Sequence, residues 1–424
     1  MTEQSLSKSR VGKTPPGPRG LPLFGSLFSL RHSPHLAIHQ IAKQYGDVCL
    51  VRLGNVPTVI ISHPDLLREA FTSAELSDRW VGQIMGILSH HGNDLAMAPN
   101  GEQWRQLQRF ANRELLSLRR LQQIREQHVV DVVNSLVETI GEKADAEQLI
   151  EPMDLLSRSN AMIMFRAIFG SNQNDTAGFE AKREELLEFV FWVFRNATST
   201  NPADYVPWLK IIPNNTIRET EQQKAVRDNI LNFLIDSIRA RPDLDPENPT
   251  CLIEVMLARE QEGQIDRETI LLLIADLLLA GIDTSAQTVS WLLLILANRP
   301  EIQKQVHDEL DRVIRADSQP TLEDRERLPY LNAVVLENMR YRTVGPLALP
   351  HKAVESCQVG GFTIPAGAQV LGNIYSIHHD PRFGESPDEF IPDRFLPMND
   401  GSPSPGMSSS AFMGNNILDS AIPL

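Results

Sequence analysis

The 424-residue sequence predicts a mainly α-helical fold with small β-sheets, an α+β arrangement. Three observations carry that reading. Across residues 101–312 most segments repeat their apolar residues with helical spacing. A proline-free run of about thirty residues opens at Asp266 and contains the longest apolar stretch, 270–297. β-Branched residues and glycine turn signals collect instead at 48–62 and 353–371, near the two ends of the chain.

Taken in order, Pro15, Pro16, Gly17, Pro18 and Arg19 form a stiff entry segment, because proline lacks a donor and restricts the residue before it. Residues 34–45 have helical spacing, and 48–53 and 58–62 read as short strands joined by a turn at Gly54. Polar or proline-bearing loops at 172–176, 201–207 and 241–249 break the helical body. Asp266 is placed to cap the long helix, and Pro300 stands just past its end. Beyond Pro346, the turn signals Gly360-Gly361 and Pro365-Ala366-Gly367 predict a second small sheet. No internal repeat is present. The boundaries that follow are a polar tail at 1–14, a folded unit at 15–396, and an unrelated tail at 397–424 that is rich in Ser, Pro, Gly and Asn.

Hydrophobic residues at 42% and charged residues at 22% suit a chain that buries a core. A net charge of −14, with scattered Lys and Arg, excludes a nucleic-acid partner. Cys49, Cys251 and Cys357 are far apart and odd in number, so they predict neither a zinc site nor a disulfide framework, and point to a reducing compartment. The start of the chain has no apolar run of signal-peptide or anchor type. The apolar stretch 270–297 is long enough to span a bilayer, yet it carries Asp276, Asp283 and Gln287, so it is predicted to be a buried helix of a soluble core. No transmembrane anchor is expected, and the predicted location is cytoplasmic, at most peripheral to a membrane.

Ala280-Gly281-Ile282-Asp283-Thr284-Ser285 interrupts the leucines of the long helix with small residues, a carboxylate and a hydroxyl. Two readings stand. Thr284 bonds back to the Ala280 carbonyl in a packing notch, or Ala280 and Gly281 let a flat ligand approach, with Thr284 on the face of Ala280 and Asp283 beside it as a proton source. Farther on, Glu337 and Arg340 are spaced i, i+3 at the end of the string 328–340, and Pro392-Asp393-Arg394-Phe395 follows. Residues 101–110 place Trp104, Gln108 and Arg109 on one predicted helix, and Pro350-His351 follows the Glu-x-x-Arg helix.

Together these strings resemble the cytochrome P-450 family of haem-thiolate monooxygenases. Ala280–Thr284 is similar to its oxygen-activation motif, 328–340 to its Glu-x-x-Arg helix, and 392–395 to its Pro-Glu-Arg-Phe motif. The resemblance implies the P-450 fold with a long central helix, haem b as cofactor, and oxygen insertion into an apolar small-molecule substrate. Electrons would come from an NADPH-dependent reductase or another donor. It implies that Asp283 and Thr284 are catalytic, that Ala280 and Gly281 face oxygen and haem, and that Glu337, Arg340 and Arg394 form a buried structural network. Trp104, His351 and Arg79 are implied to bind the haem propionates. Gln108 stands where the family usually has arginine, and Arg109 is the substitute, turned about 100° around an ideal helix. Residues 81–95 and 189–207 are implied to line the substrate space.

One departure matters. The family's axial cysteine lies in a loop Phe-x-x-Gly-x-Arg-x-Cys-x-Gly after the Pro-Glu-Arg-Phe motif, but the 29 residues after Phe395 contain no Cys, His, Lys or Arg. Cys357 precedes the motif and reads as a small apolar residue. The resemblance covers 15–395, so the sequence predicts a member truncated before the cysteine loop and final helix, with no metal ligand. Its alternative function is a catalytically inactive binding module or a non-functional product.

Overall fold

The computed structural model describes residues 12–396 except 31, 116–117, 171–177, 198–200, 212–213, 243, 246–248 and 316–317. The tails predicted at 1–14 and 397–424 therefore lie outside the described residues, apart from 12–14, as does the predicted loop at 172–176. Helices dominate between Glu102 and Val313, among them Leu118–Asp145, Pro152–Phe169, Phe179–Ala197 and Asn215–Arg239. The long helix spans Arg267–Ala297, and Asp266 caps it by accepting the Thr269 N–H at 2.8 Å. Pro300 opens the next helix at its first turn, where a missing N–H costs nothing. The 201–207 segment is more ordered than predicted. Asn201 caps a short helix, Pro202–Tyr205, and a 3₁₀ turn follows at Pro207–Ile211.

The sheet order corrects one expectation. β1 (Val48–Leu53) and β2 (Val56–Ile61) form the predicted hairpin. β3 (Asp78–Arg79) and β4 (His351–Lys352) pair with each other, and β5 (Cys357–Val359) with β6 (Phe362–Ile364). β7 (Gln369–Gly372), predicted to belong to a separate second sheet, runs parallel to β2 and antiparallel to β4. The order β1-β2-β7-β4-β3 thus closes the two ends of the chain into one sheet, and β5-β6 stands apart. Burial decides this outcome. All four residues of β7 are buried and must find backbone partners, and the edge of β2 supplies them, with Thr58 Oγ1 donating to Gln369 Oε1 at 3.0 Å.

Apart from Asp276, the first half of the long helix is apolar on nearly all sides after its opening turn, as suits a helix enclosed by neighbours. Ile270, Leu273, Ile274 and Leu278 are buried in one cluster with Phe165 and Ile168 of the Pro152–Phe169 helix. By length and composition this is the one described helix that could cross a membrane, and most of its apolar window is buried in the fold. Its second half is more open, with Trp291 and Leu294 at 40% and 46% exposure.

A charged knot ties the C-terminal segment to the helix Pro329–Tyr341. Arg340 is 1% exposed and uses all five guanidinium N–H groups. Its Nε donates to Glu337 Oε2 at 2.7 Å, and Nη2 donates to Glu337 Oε1 at 2.8 Å and the Glu389 carbonyl at 2.9 Å. Nη1 donates to the His378 and Pro387 carbonyls, each at 2.7 Å. Glu337 is fully buried and also accepts from Ile391 N–H at 2.7 Å and Arg394 Nε at 3.2 Å. Arg394 completes the knot on the Glu385 and Ser386 carbonyls. Removal of one partner strands a buried charge, so Arg340→Ala is expected to cost on the order of 3–5 kcal/mol. Chemical denaturation measures it, and a midpoint equal to that of the parent would refute this account of the knot.

Candidate functional site

The motif in the middle of the long helix has two faces with different fates. Asp283 is buried, and the Gln287 amide donates to its Oδ2 at 2.5 Å, one turn along. Burial raises its pKa above the ordinary carboxylate value, and the Gln287 hydrogen bond partly opposes that rise. Thr284, next in sequence, is exposed, and its hydroxyl donates to the Ala280 carbonyl at 2.6 Å. A hydroxyl engaged in this way offers its oxygen lone pair to the open side. It can give its proton there only after rotating away from the helix.

Gly281 does not leave a face open to a flat ligand. A Cβ built on it would lie 2.6 Å from Met164 Sδ and 3.1 Å from its Cγ. The glycine admits the Pro152–Phe169 helix to close contact, so the notch is filled by protein. Ala280 is half-buried on the side of Thr284.

Arg79 and His351, which are 272 residues apart, face each other across β3 and β4. Arg79 Nη1 lies 2.5 Å from His351 Nε2, and His351 Nδ1 lies 2.6 Å from the Leu76 carbonyl. Since a carbonyl only accepts, Nδ1 carries the proton and Nε2 accepts from the guanidinium. Phe71 stacks on the imidazole with ring centroids 3.9 Å apart. Burial first, and then the Arg79 charge, push His351 down to about 3. Burial lowers Arg79 to about 10, which leaves it a cation at neutral pH. This is a preorganised cationic donor of the kind that suits a carboxylate.

The helix Glu102–Phe110 holds the other predicted carboxylate donors, and here the structure departs from expectation. Trp104 donates its indole N–H to the Leu95 carbonyl at 3.0 Å. Arg109, 68% exposed, pairs with Glu102 at 3.0 Å and donates Nε to the Arg105 carbonyl. The turn between Trp104 and Arg109 sends the arginine to solvent, away from the Trp104 side of the helix. Arg109 is thus held by Glu102 and the Arg105 carbonyl, on a different side of the helix from Trp104. Glu337, Arg340 and Arg394 are brought together, but in the knot described above.

Sequence reading missed three participants. Asn338, fully buried beside Glu337, donates to the Thr288 carbonyl at 2.9 Å and joins the knot to the long helix one turn past Thr284. Leu95 N–H donates to Asp276 Oδ2 at 2.9 Å, which joins the Trp104 loop to the same helix. Met164 fills the Gly281 notch. Only Asp276 had a local signal, as an acid in an apolar run. The segments predicted to line the substrate space meet at a cavity of about 400 Å³, bounded by Trp80, Gly82, Ile87 and His91 on one side and Asp204 on the other. Asp204 Oδ1 accepts both the Gln83 backbone and side-chain amides, at 2.9 and 3.0 Å.

The thiols are poorly suited to bind iron. Cys49 is buried in β1 and Cys251 is buried where it caps the helix Leu252–Gln261, and desolvation pushes each up to about 12. Cys357, half-buried in β5, is also raised by burial and by nearby Glu75 and Glu355. A thiolate ligand must be deprotonated, and none of these environments favours that form. Among the described residues no cluster of three His, Cys, Asp or Glu side chains could hold a metal. The residues present thus fit the carboxylate edge of a haem at Arg79 and His351, but not the thiolate side of its iron.

The family described as Cytochrome P450 matches residues 15–414. A probable cytochrome P450 516B1 of Dictyostelium discoideum is 31% identical over 408 residues, covering 93% of this chain and 80% of that protein. Cytochrome P450 1A2 of Cavia porcellus is 32% identical over 410 residues, covering 91% and 77%. A phenylacetaldehyde oxime monooxygenase of Prunus mume is 32% identical over 408 residues, covering 93% and 76%. A solved zebra fish cytochrome P450 structure with progesterone superposes with a TM-score of 0.73 at 24% identity, covering 92% of this chain and 90% of that one, a likeness of fold.

The neutral His351 has a consequence for pH. Its folded pKa lies below the ordinary histidine value of 6.5, so its contribution to stability is full above that pH and declines as pH falls from 6.5 toward about 3. The decline is about 1.4 kcal/mol per pH unit for one such group. In urea titrations at several pH values, His351→Gln is expected to be less acid-sensitive than the parent by that slope. Equal slopes would mean that His351 takes up its proton as readily in the folded state as in the unfolded one.

Proposed function

This chain belongs to the cytochrome P450 family and is an oxidoreductase of the monooxygenase type with haem as cofactor, and from that premise we propose that it inserts one oxygen atom into an apolar small molecule with haem b. Electrons come from an NADPH-dependent reductase or another donor, and the enzyme is cytoplasmic, at most peripheral to a membrane. The observation that carries the reading is the adjacency of a desolvated acid and an exposed hydroxyl on one helix, Asp283 and Thr284.

Haem, when bound, supplies the oxygen chemistry. The work proposed for this chain's own residues is proton handling and binding. Asp283, raised by burial, holds a proton more readily than an exposed aspartate, while the Gln287 amide stabilises the anion left when that proton departs. Thr284 would move a proton to the open side by exchanging its bond to the Ala280 carbonyl for a new partner. The bond given up is worth about 1 kcal/mol net, a small barrier to such a relay. Arg79, with His351 orienting it, grips a haem carboxylate. Trp104 does the same only if its N–H leaves Leu95, and Arg109 only if it leaves Glu102. Glu337, Arg340 and Arg394 act structurally.

A second reading, a helical binding module without catalysis, is favoured by one specific observation: Cys49 and Cys251 are buried and Cys357 half-buried, and desolvation raises all three thiols. The red-shifted carbon monoxide band of reduced, thiolate-ligated haem separates the two. For the 424-residue chain reconstituted with haem, no such band is expected. Its appearance would mean that one of the three buried or half-buried cysteines ionises on the iron.

The relay is tested in the chain carrying the family's cysteine loop after Phe395. Product formed per reduced nicotinamide consumed is expected to fall in Thr284→Ala by up to ~10²-fold, the lower range for general acid assistance, and by less where water replaces the hydroxyl. Electrons would still be consumed and would leave as hydrogen peroxide. Unchanged coupling would return Thr284 to the role of a helix-packing residue.

A further inference from the structure

One oxygen in the cavity between Trp80 and Asp204 has no task in the chemistry above. Asp204 is half-buried in the short helix Pro202–Tyr205, and its Oδ1 alone accepts the Gln83 backbone N–H and side-chain amide, at 2.9 and 3.0 Å. Among the described residues no hydrogen bond and no ion pair reaches Oδ2. That oxygen lies over Gly82, where a Cβ would come within 2.7 Å of it. Gly82 and Asp204 both line the cavity of about 400 Å³. A capping bond to Gln83 needs one oxygen and no charge, so asparagine would serve there equally well. The second oxygen and the charge are left over.

We propose that the cavity recognises an organic cation, a protonated amine or quaternary ammonium group on an apolar body, with Asp204 Oδ2 as its anion and Trp80 as its aromatic wall. That such a cation is the molecule oxygenated rests on the function proposed above. The binding itself rests on the geometry of the cavity.

The carboxylate is held in place before any ligand arrives. Asn201 caps its helix by accepting the Ala203 N–H at 3.1 Å, and the Tyr205 carbonyl accepts the Asn55 N–H at 2.7 Å, from the turn of the first hairpin. Gly54 of the same turn admits that carbonyl, which a Cβ there would overlap. The Tyr205 ring stacks on Trp80 with centroids 5.0 Å apart, and the Trp80 backbone N–H donates to the Pro350 carbonyl at 3.0 Å. Trp80 and Asp204 are thus tied to each other and to the sheet. Anchors that need no ordering on binding lose less affinity to entropy.

The surroundings select the class of ligand. A carboxylate without a cationic partner repels anions, and the net charge of −14 adds a field of the same sign. A metal ion would need several ligating groups, and no cluster of three His, Cys, Asp or Glu side chains is present among the described residues. Trp80 offers an indole to a cation, while Val81 and Ile87 offer apolar surface to the rest of the molecule. The volume falls within the usual range of small-molecule sites, about 300–1,000 Å³.

The test uses the full chain and two probes of one shape, benzyltrimethylammonium and its uncharged carbon isostere neopentylbenzene, with binding read by ligand-observed nuclear magnetic resonance. The parent is expected to bind the cation about tenfold more tightly than the isostere, as one ion pair and one cation–π contact give at a half-exposed site. In Asp204→Asn, Oδ1 still accepts from Gln83 but the charge is gone. The isostere is therefore expected to bind as it does to the parent, and the preference for the cation to fall to about twofold, the share left to Trp80.

Equal affinity of the parent for the two probes would overturn the proposal, and that measurement needs no variant to fold. A tenfold preference that survives in Asp204→Asn would overturn it too, and leave Asp204 only a cap for Gln83. The readout needs neither haem nor turnover. A chain that shows the preference but oxygenates nothing keeps the site and loses the monooxygenase reading, and a chain that oxygenates uncharged molecules without the preference does the reverse.

Discussion

Arg340 has no solvent to turn to, and its five donors must all be met within the protein. That requirement fixes the positions of Glu337 and of the His378, Pro387 and Glu389 carbonyls at once. The carbonyls belong to a stretch with little secondary structure of its own, which a regular ladder could not hold. One carboxylate and two guanidinium groups leave an excess positive charge, and the ring of carbonyl dipoles offsets it. Such an arrangement contributes little net stability compared with an apolar core, but it tolerates no partial loss. Asn338 extends the same constraint to the long helix through Thr288, so the position of the Asp283–Thr284 turn depends on the knot.

The long helix serves two environments along its length. Its first half is enclosed by apolar neighbours, and at Gly281 the Pro152–Phe169 helix packs closely through Met164. A glycine there is a packing device, since Met164 occupies the space that its missing side chain vacates. The residues that remain available for chemistry are therefore displaced by one position around the helix, to Ala280 and Thr284. This explains why the same short motif satisfies both readings of it. The Thr284 back-bond to Ala280 is present, and it leaves the threonine oxygen on the open side.

The cofactor question divides along the same lines. Arg79 and His351 form a desolvated cationic corner because two short strands far apart in the chain, β3 and β4, pair directly, and β7 holds β4 in the sheet. The three cysteines, in contrast, are placed where small apolar side chains are wanted, in a strand, at a buried helix cap and in a hairpin. Burial in such places keeps a thiol protonated. The acidic residues respond to the same physics, since desolvation raises Asp283, Asp94 and Asp276 above the ordinary aspartate value.

Local pattern was sufficient for the helical body, the Asp266 cap, the first hairpin and the family, because each of these depends on periodicity, capping chemistry or short strings within one segment. Glu337, Arg340 and Arg394 could be named from the sequence by resemblance, yet i, i+3 spacing alone is equally compatible with a solvated pair. Their burial is a property of the segment that folds over them. What only the tertiary structure decided involves contacts between distant residues. It joined β7 to β2 across 311 residues, put Met164 opposite Gly281, and brought the Leu95 N–H to Asp276. None of these has a local signature, because a side chain's partner across the core is selected by the packing of whole elements, and desolvation, which sets the charge state of each acid, histidine and thiol, exists only after that packing is complete.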